Sequence, residues 1–295
     1  MVLSLCLVLW GCTTQPITER LVEPVAERGE YGERGEYGVE RLQQEFRVRV
    51  DERVNASIYF PLSSRGERTE GPLAVVVQGG LVAEDRYAWI ASHLATRGFV
   101  SVLVEHRTEL ALLEAHNSIG VLDAMKRDDE LSRFVQRRGV VVGHSLGAVT
   151  AARLWVDNPE YFSSLVLLAG IPAGSDDFAS REVVGSDERI VSIAGSQDGR
   201  IDVASVEEGI VQMREGDVPV YGFEVMGMNH MQWTTGITAS ELENDFEASI
   251  SDEEALERGR VMLDVALDDL IVGGELPLLE MSNWAEGVAQ IGEGQ

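Results

Sequence analysis

The chain has 295 residues, 44% of them hydrophobic, enough for one large domain or two small ones; disorder of the whole is excluded. Its 24 basic and 50 acidic residues leave a net charge of −26, so no basic face stands ready to neutralise a phosphate backbone and nucleic acid is excluded as a partner. The two cysteines, Cys6 and Cys12, lie in the first dozen residues, which removes disulfides, thiolate chemistry and cysteine zinc sites from the body of the chain.

Residues 2–11 are almost wholly apolar. Ten residues of helix span about 15 Å, half a bilayer core, which fits the core of an export signal and not a membrane span. Leu9-Trp10-Gly11-Cys12 resembles the bacterial lipobox, with Cys12 as the residue that would receive lipid. It departs from that pattern in the bulky Trp10 and in the lack of Lys or Arg before the apolar run. The expectation is an exported protein, lipid-anchored in the bacterial cell envelope or otherwise periplasmic or secreted. Contact with a membrane is expected through that anchor only.

Residues 13–42 read as a polar, flexible tether. They hold a tandem hexapeptide, residues 27–32 and 33–38, too short to build a solenoid. Alternation over Phe46–Val50 and Val54–Phe60 predicts a hairpin. Leu73–Val77 is a continuous apolar run, as expected of a strand buried on both faces. A helical pattern follows over Asp85–Arg97, ended by Gly98; next come a strand at Val100–Val104 and a helix at Asn117–Lys126.

The stretch Gly139-Val140-Val141-Val142-Gly143-His144-Ser145-Leu146-Gly147 leads into an Ala-rich helical pattern. It reads as strand, sharp turn and helix, with Ser145 at the turn. Gly143 and Gly147 remove side chains that would collide where strand and helix cross. Apolar runs at Leu165–Ala169, Ile190–Ala194 and Val220–Val225 predict three more strands, and Asp202–Met213 a helix. Ser251-Asp252-Glu253-Glu254 is a capping box opening a helix to about Ile271. Residues 273–295 read as a loosely packed tail. Alternating strands and helices predict an α/β fold: a mostly parallel central sheet covered by helices on both faces, spanning residues 43–272. Ligands of such sheets bind beyond the carboxyl ends of the strands.

A serine hydroxyl needs a base to take its proton, and the base needs an acid to orient it. His230 follows the last predicted strand, in Met228-Asn229-His230, and is the expected base. Asp198 follows Ile190–Ala194 and is the expected acid, with Asp176 and Asp177 as alternatives and Asp202 as a helix cap. Among the other histidines, His93 reads as a surface or interfacial residue, and His144 as the variable position of the turn. Two backbone N–H groups should face the developing negative charge. Leu146 is expected to supply one. Gly80, in Gln78-Gly79-Gly80-Leu81, is expected to supply the other, with Leu81 as the alternative.

Together these stretches resemble the α/β-hydrolase superfamily, and in particular its lidless dienelactone-hydrolase-like branch, similar also to chlorophyllases and cutinase-like polyester hydrolases. The resemblance covers about residues 43–272. It implies a Ser–Asp–His triad at Ser145, Asp198 and His230, and hydrolysis of small or polymeric esters through an acyl-enzyme, with no cofactor and no metal. Dienelactone hydrolases proper carry a cysteine nucleophile, so the lactone substrate does not carry over. Many relatives have His or Pro where Gln78 stands. Large lids in this fold follow the sixth strand, and here Gly170–Arg189 has room for a helix and loops only. The same triad would also serve an acyltransferase or a peptidase, and a non-catalytic envelope module is a further alternative.

Overall fold

The structure, a computed structural model, describes residues 16–22, 35–106, 115–173, 178–181, 183–185, 188–272 and 288–291. Ten strands form one sheet: β1 (Ile17–Val22), β2 (Gly38–Arg49), β3 (Glu52–Leu62), β4 (Pro72–Val77), β5 (Val100–Val104), β6 (Arg137–His144), β7 (Phe162–Leu168), β8 (Arg189–Gly195), β9 (Val220–Val225) and β10 (Val288–Ile291). Their spatial order is β1-β2-β3-β5-β4-β6-β7-β8-β9-β10. The centre, from β5 through β9, is parallel. The strands at both ends are antiparallel to their neighbours.

The helices are α1 (Ala88–Thr96), α2 (Ala115–Arg127), α3 (Leu146–Asp157), α4 (Val203–Met213), α5 (Ala239–Leu242) and α6 (Asp252–Val272). Strand alternation sorts the core into two layers. Leu73, Val75 and Val77 of β4 pack with side chains of α2, α3 and α4. Ala74 and Val76 of the same strand pack with α1 and α6. Every residue of β4, β5, β7 and β8 is buried, which explains their largely apolar character, with Ser101, Ser163, Ser164, Arg189 and Ser192 as the polar members. Helix ends follow their signals: Gly98 takes φ +98° just past α1, and Ser251 Oγ accepts from Glu254 N–H at the start of α6.

Two expectations are corrected. The supposed tether contains strand structure, since β1 pairs antiparallel with residues 39–43 of β2. Its side chains are mostly exposed, so no apolar alternation marks it; backbone pairing and the 2.6 Å Arg41–Glu19 ion pair hold it. β2 itself begins at Gly38, eight residues before the predicted hairpin, with Val39 and Leu42 buried. The second correction concerns the tail. Residues 288–291 form β10 on the edge of β9 and bury Ile291 in the core. The apolar segment 2–11, Cys12, the first copy of the hexapeptide, and Asp176 and Asp177 lie outside the described residues. The end of the second copy is described, and Tyr37 N–H donates to Thr96 O at the end of α1. Between β7 and β8 the described residues hold only one 3-10 turn, Phe178–Ser180. Among the described residues no helix is long and apolar enough to cross a membrane.

Candidate active site

The turn between β6 and α3 is as tight as its glycines require. A Cβ on Gly143 would lie 2.4 Å from Gly147 O and 2.7 Å from Ala151 Cβ. One on Gly147 would lie 2.4 Å from Gln78 O. Ser145 sits at the apex with φ 54° and ψ −123°, a conformation that L residues adopt only under strong constraint. Its N–H is tied to Leu168 O of the next strand. Leu81, Ser145 and Ala169 are the described non-glycine residues with positive φ, and they follow β4, β6 and β7 respectively. Backbone strain is thus concentrated along one stretch of the sheet's carboxyl edge.

Three sequence-predicted residues converge there. Ser145 Oγ lies 2.8 Å from His230 Nε2, and His230 Nδ1 lies 2.8 Å from Asp198 Oδ2. Asp198 ends its turn after β8, where its other oxygen accepts the N–H groups of Arg200 and Ile201, both at 2.8 Å. Asp198 and His230 are nearly fully buried, while Ser145 is only half-buried. In the chain of contacts a proton on Ser145 Oγ has a direct acceptor, and the imidazole so charged has a carboxylate behind it. Asp202, read as a cap, does cap α4 by accepting from Ser205 N–H.

The loops bearing Asp198 and His230 are bonded to each other. Gln197 N–H donates to Met228 O, and Gly227 N–H to Ser196 Oγ. Asp245 adds a clamp that the sequence analysis missed. One of its oxygens accepts Gly199 N–H at 2.8 Å, next to Asp198; the other accepts Met231 N–H at 3.0 Å, next to His230. Of the residues flanking the base, Met228, Met231 and Trp233 are core and Met226 is exposed.

The loop after β4 approaches the serine closely. A Cβ on Gly79 would lie 3.3 Å from Ser145 Cβ. Gly79 N–H is already engaged by Tyr87 Oη at 2.9 Å, which leaves Gly80 and the exposed Leu81 as the next N–H groups along. Leu146 is the first residue of α3, and a helix's first N–H groups have no partner in its own ladder. The Gln78 side chain is buried with neither polar atom bonded to a described residue.

His144, read as merely variable, is fully enclosed, with Nδ1 2.7 Å from Tyr87 Oη and Nε2 3.0 Å from His230 O. Burial, and then the neighbouring His230, push its pKa well below the ordinary value, so the ring is neutral. Burial likewise raises the Tyr87 phenol, which keeps its proton. The signal available in the sequence was a polar ring at a position that the turn buries. His93, read as a surface or interfacial residue, is buried between α1 and α6 and bonds Asp264 Oδ1 at 2.7 Å. Among the described residues no cluster of three or more His, Cys, Asp or Glu side chains is arranged to hold a metal ion.

No curated protein matches the sequence. Among solved structures, a ferulic acid esterase from Streptomyces cinnamoneus is similar with a TM-score of 0.63, over 94% of this chain and 95% of that one, at 15% identity. That likeness is one of fold. A family model described as the alpha/beta hydrolase family matches residues 73–257. The match takes in more than half of the chain, from β4 to the first turns of α6, and the chain belongs to the alpha/beta hydrolase family.

Proposed function

We propose that the chain is a serine hydrolase cleaving carboxylic esters through an acyl-enzyme. The observation that carries this reading is the pair of 2.8 Å contacts joining Asp198, His230 and Ser145, with the serine on a strained strand–helix turn. Ser145 Oγ attacks the ester carbonyl as its proton passes to His230 Nε2. The imidazolium is stabilised by Asp198, which stays ionised while its second oxygen is held by two backbone N–H groups. Leu146 N–H and Gly80 N–H receive the developing oxyanion, an arrangement worth about 3–4 kcal/mol per donor in enzymes of this type. His230 returns the proton to the departing alkoxide, leaving an acyl group on Ser145. A water, deprotonated by the same Nε2, then attacks the acyl carbon and releases the acid.

The half-buried serine and the short β7–β8 connection favour small or polymeric esters reaching an open site over a lipid enclosed by a lid. The apolar segment 2–11 and Cys12 support export with a lipid anchor. Hydrolysis of p-nitrophenyl butyrate by the wild type and by Ser145→Ala tests the catalytic reading. The variant should lose at least ~10⁴-fold in kcat, and a fluorophosphonate should label wild-type Ser145 alone. Equal rates in the two proteins would sink the reading.

A further inference from the structure

A buried file of hydrogen bonds runs from the loop after β4 to the loop after β9, passing directly behind the serine. It joins Gly79 N–H to Tyr87 Oη at 2.9 Å, Tyr87 Oη to His144 Nδ1 at 2.7 Å, and His144 Nε2 to His230 O at 3.0 Å. Its proton arrangement is fixed by elimination. A backbone carbonyl only accepts, so His144 Nε2 carries the hydrogen. The ring is neutral, so Nδ1 accepts, and Tyr87 O–H must be its donor. The phenol oxygen in turn accepts from Gly79 N–H. Every member is satisfied in this one polarity, and a fully satisfied buried network of this kind holds its members in a single arrangement.

The three points it joins matter to the chemistry. Gly79 precedes the N–H assigned to the oxyanion. His230 is the base, and here its backbone is held, not its ring. His144 is the residue immediately before the nucleophile. The His144 and His230 rings lie 4.8 Å apart.

We propose that Tyr87 and His144 are positioning residues for the ester hydrolysis inferred above, and the proposal rests on that reading: they set the oxyanion loop and the backbone of His230 at fixed distances from Ser145. Neither touches the reacting atoms. Their removal should therefore lower kcat while leaving substrate binding in the open cleft nearly intact.

The test compares wild type, Ser145→Ala, Tyr87→Phe, His144→Leu and His144→Gln as full chains, reading kcat, KM and melting temperature with p-nitrophenyl butyrate, and the rate of fluorophosphonate labelling. Tyr87→Phe and His144→Leu should each lower kcat and the labelling rate 10- to 100-fold, with KM within threefold of wild type. His144→Gln places an amide N–H where Nε2–H stood and should regain at least tenfold over His144→Leu. Folded Tyr87→Phe with kcat and labelling within twofold of wild type overturns the proposal. So does a glutamine variant no better than the leucine one. If His144→Leu does not fold, Tyr87→Phe, which keeps the ring in place, decides alone. A wild type that turns over no ester but labels at Ser145 removes the ester reading, and the labelling rates still decide the positioning role.

Discussion

Among the described residues are two buried pairs of histidine and aspartate with nearly equal contact distances and different surroundings. His230 and Asp198 approach to 2.8 Å, His93 and Asp264 to 2.7 Å. The difference lies in what completes each pair. Behind Asp198 are two backbone N–H groups, neutral dipoles that leave the carboxylate's charge directed at the imidazole. Behind Asp264 is the Arg97 guanidinium at 2.5 Å, whose charge compensates it. In front of His230 is a serine on a strained turn. His93 and Arg97 come from the end of α1 and Asp264 from α6, so that pair ties two helices across one layer of the core. The same buried histidine–carboxylate contact thus occurs once beside a serine and once as a tie between helices, and under the proposed function only the first moves protons.

Opposite effects of one substitution type would break or sharpen this contrast. Asp198→Asn should lower kcat for p-nitrophenyl esters by about 10⁴-fold, because the amide favours the wrong imidazole tautomer. Its melting temperature should change little. Asp264→Asn should do the reverse. It removes the buried carboxylate charge that faces both Arg97 and His93, costing about 3–5 kcal/mol, or a fall in melting temperature on the order of 10 °C, with kcat of the folded protein unchanged. Loss of activity in both, or of stability in both, would erase the distinction.

Asp245 lies between these extremes, since it touches neither the serine nor the imidazole but clamps the two loops that carry acid and base. Asp245→Ala should reduce kcat about tenfold and stability by about 1–3 kcal/mol, the cost of leaving backbone N–H groups without their acceptor. Parallel kinetic and thermal measurements separate the two effects.

The smallest effect is expected at Glu241. Partial burial raises its carboxyl pKa, but hydrogen bonds from Arg86 and Thr238 outweigh that and bring it from 4.5 down to about 2. A carboxyl lowered in the folded state adds stability above its unfolded value and loses it as pH falls through the folded one. This contribution is therefore complete above about pH 4.5 and fades toward pH 2. Glu241→Gln should flatten that part of the stability–pH curve, and acid titration of wild type and variant by circular dichroism measures it.

The sequence made the central sheet legible because strands buried on both faces are mostly apolar, with runs such as Leu73–Val77 and Leu165–Leu168. Ser145, Asp198 and His230 could be proposed because each follows such a run, in loops whose place the fold sets. The edge strands could not be read, since β1 and β10 are held by backbone pairing that leaves little mark on side-chain pattern. The positioning contacts were hidden for a related reason. His144 reaches a carbonyl, besides the phenol of Tyr87 57 positions away, and Asp245 reaches N–H groups; a backbone partner carries no residue identity to recognise, and a distant side chain is brought near only by the fold. The partner of His93 could not be named because it is 171 positions away, on a helix that only the fold brings alongside.

The strand at Ile17–Val22 also bears on how much of the sheet's edge is bared. A sheet edge is a template for another chain, and β2 offers one twelve residues long. β1 covers residues 39–43 of it with a shorter strand that carries Glu19 and Arg20 and has a bulge between Arg20 and Val22. Charge and irregularity of that kind are poor ground for further pairing. A chain shortened to begin at residue 35 would bare residues 39–43 of β2 as well and should associate with its own copies more than the full chain does, a difference that light scattering measures.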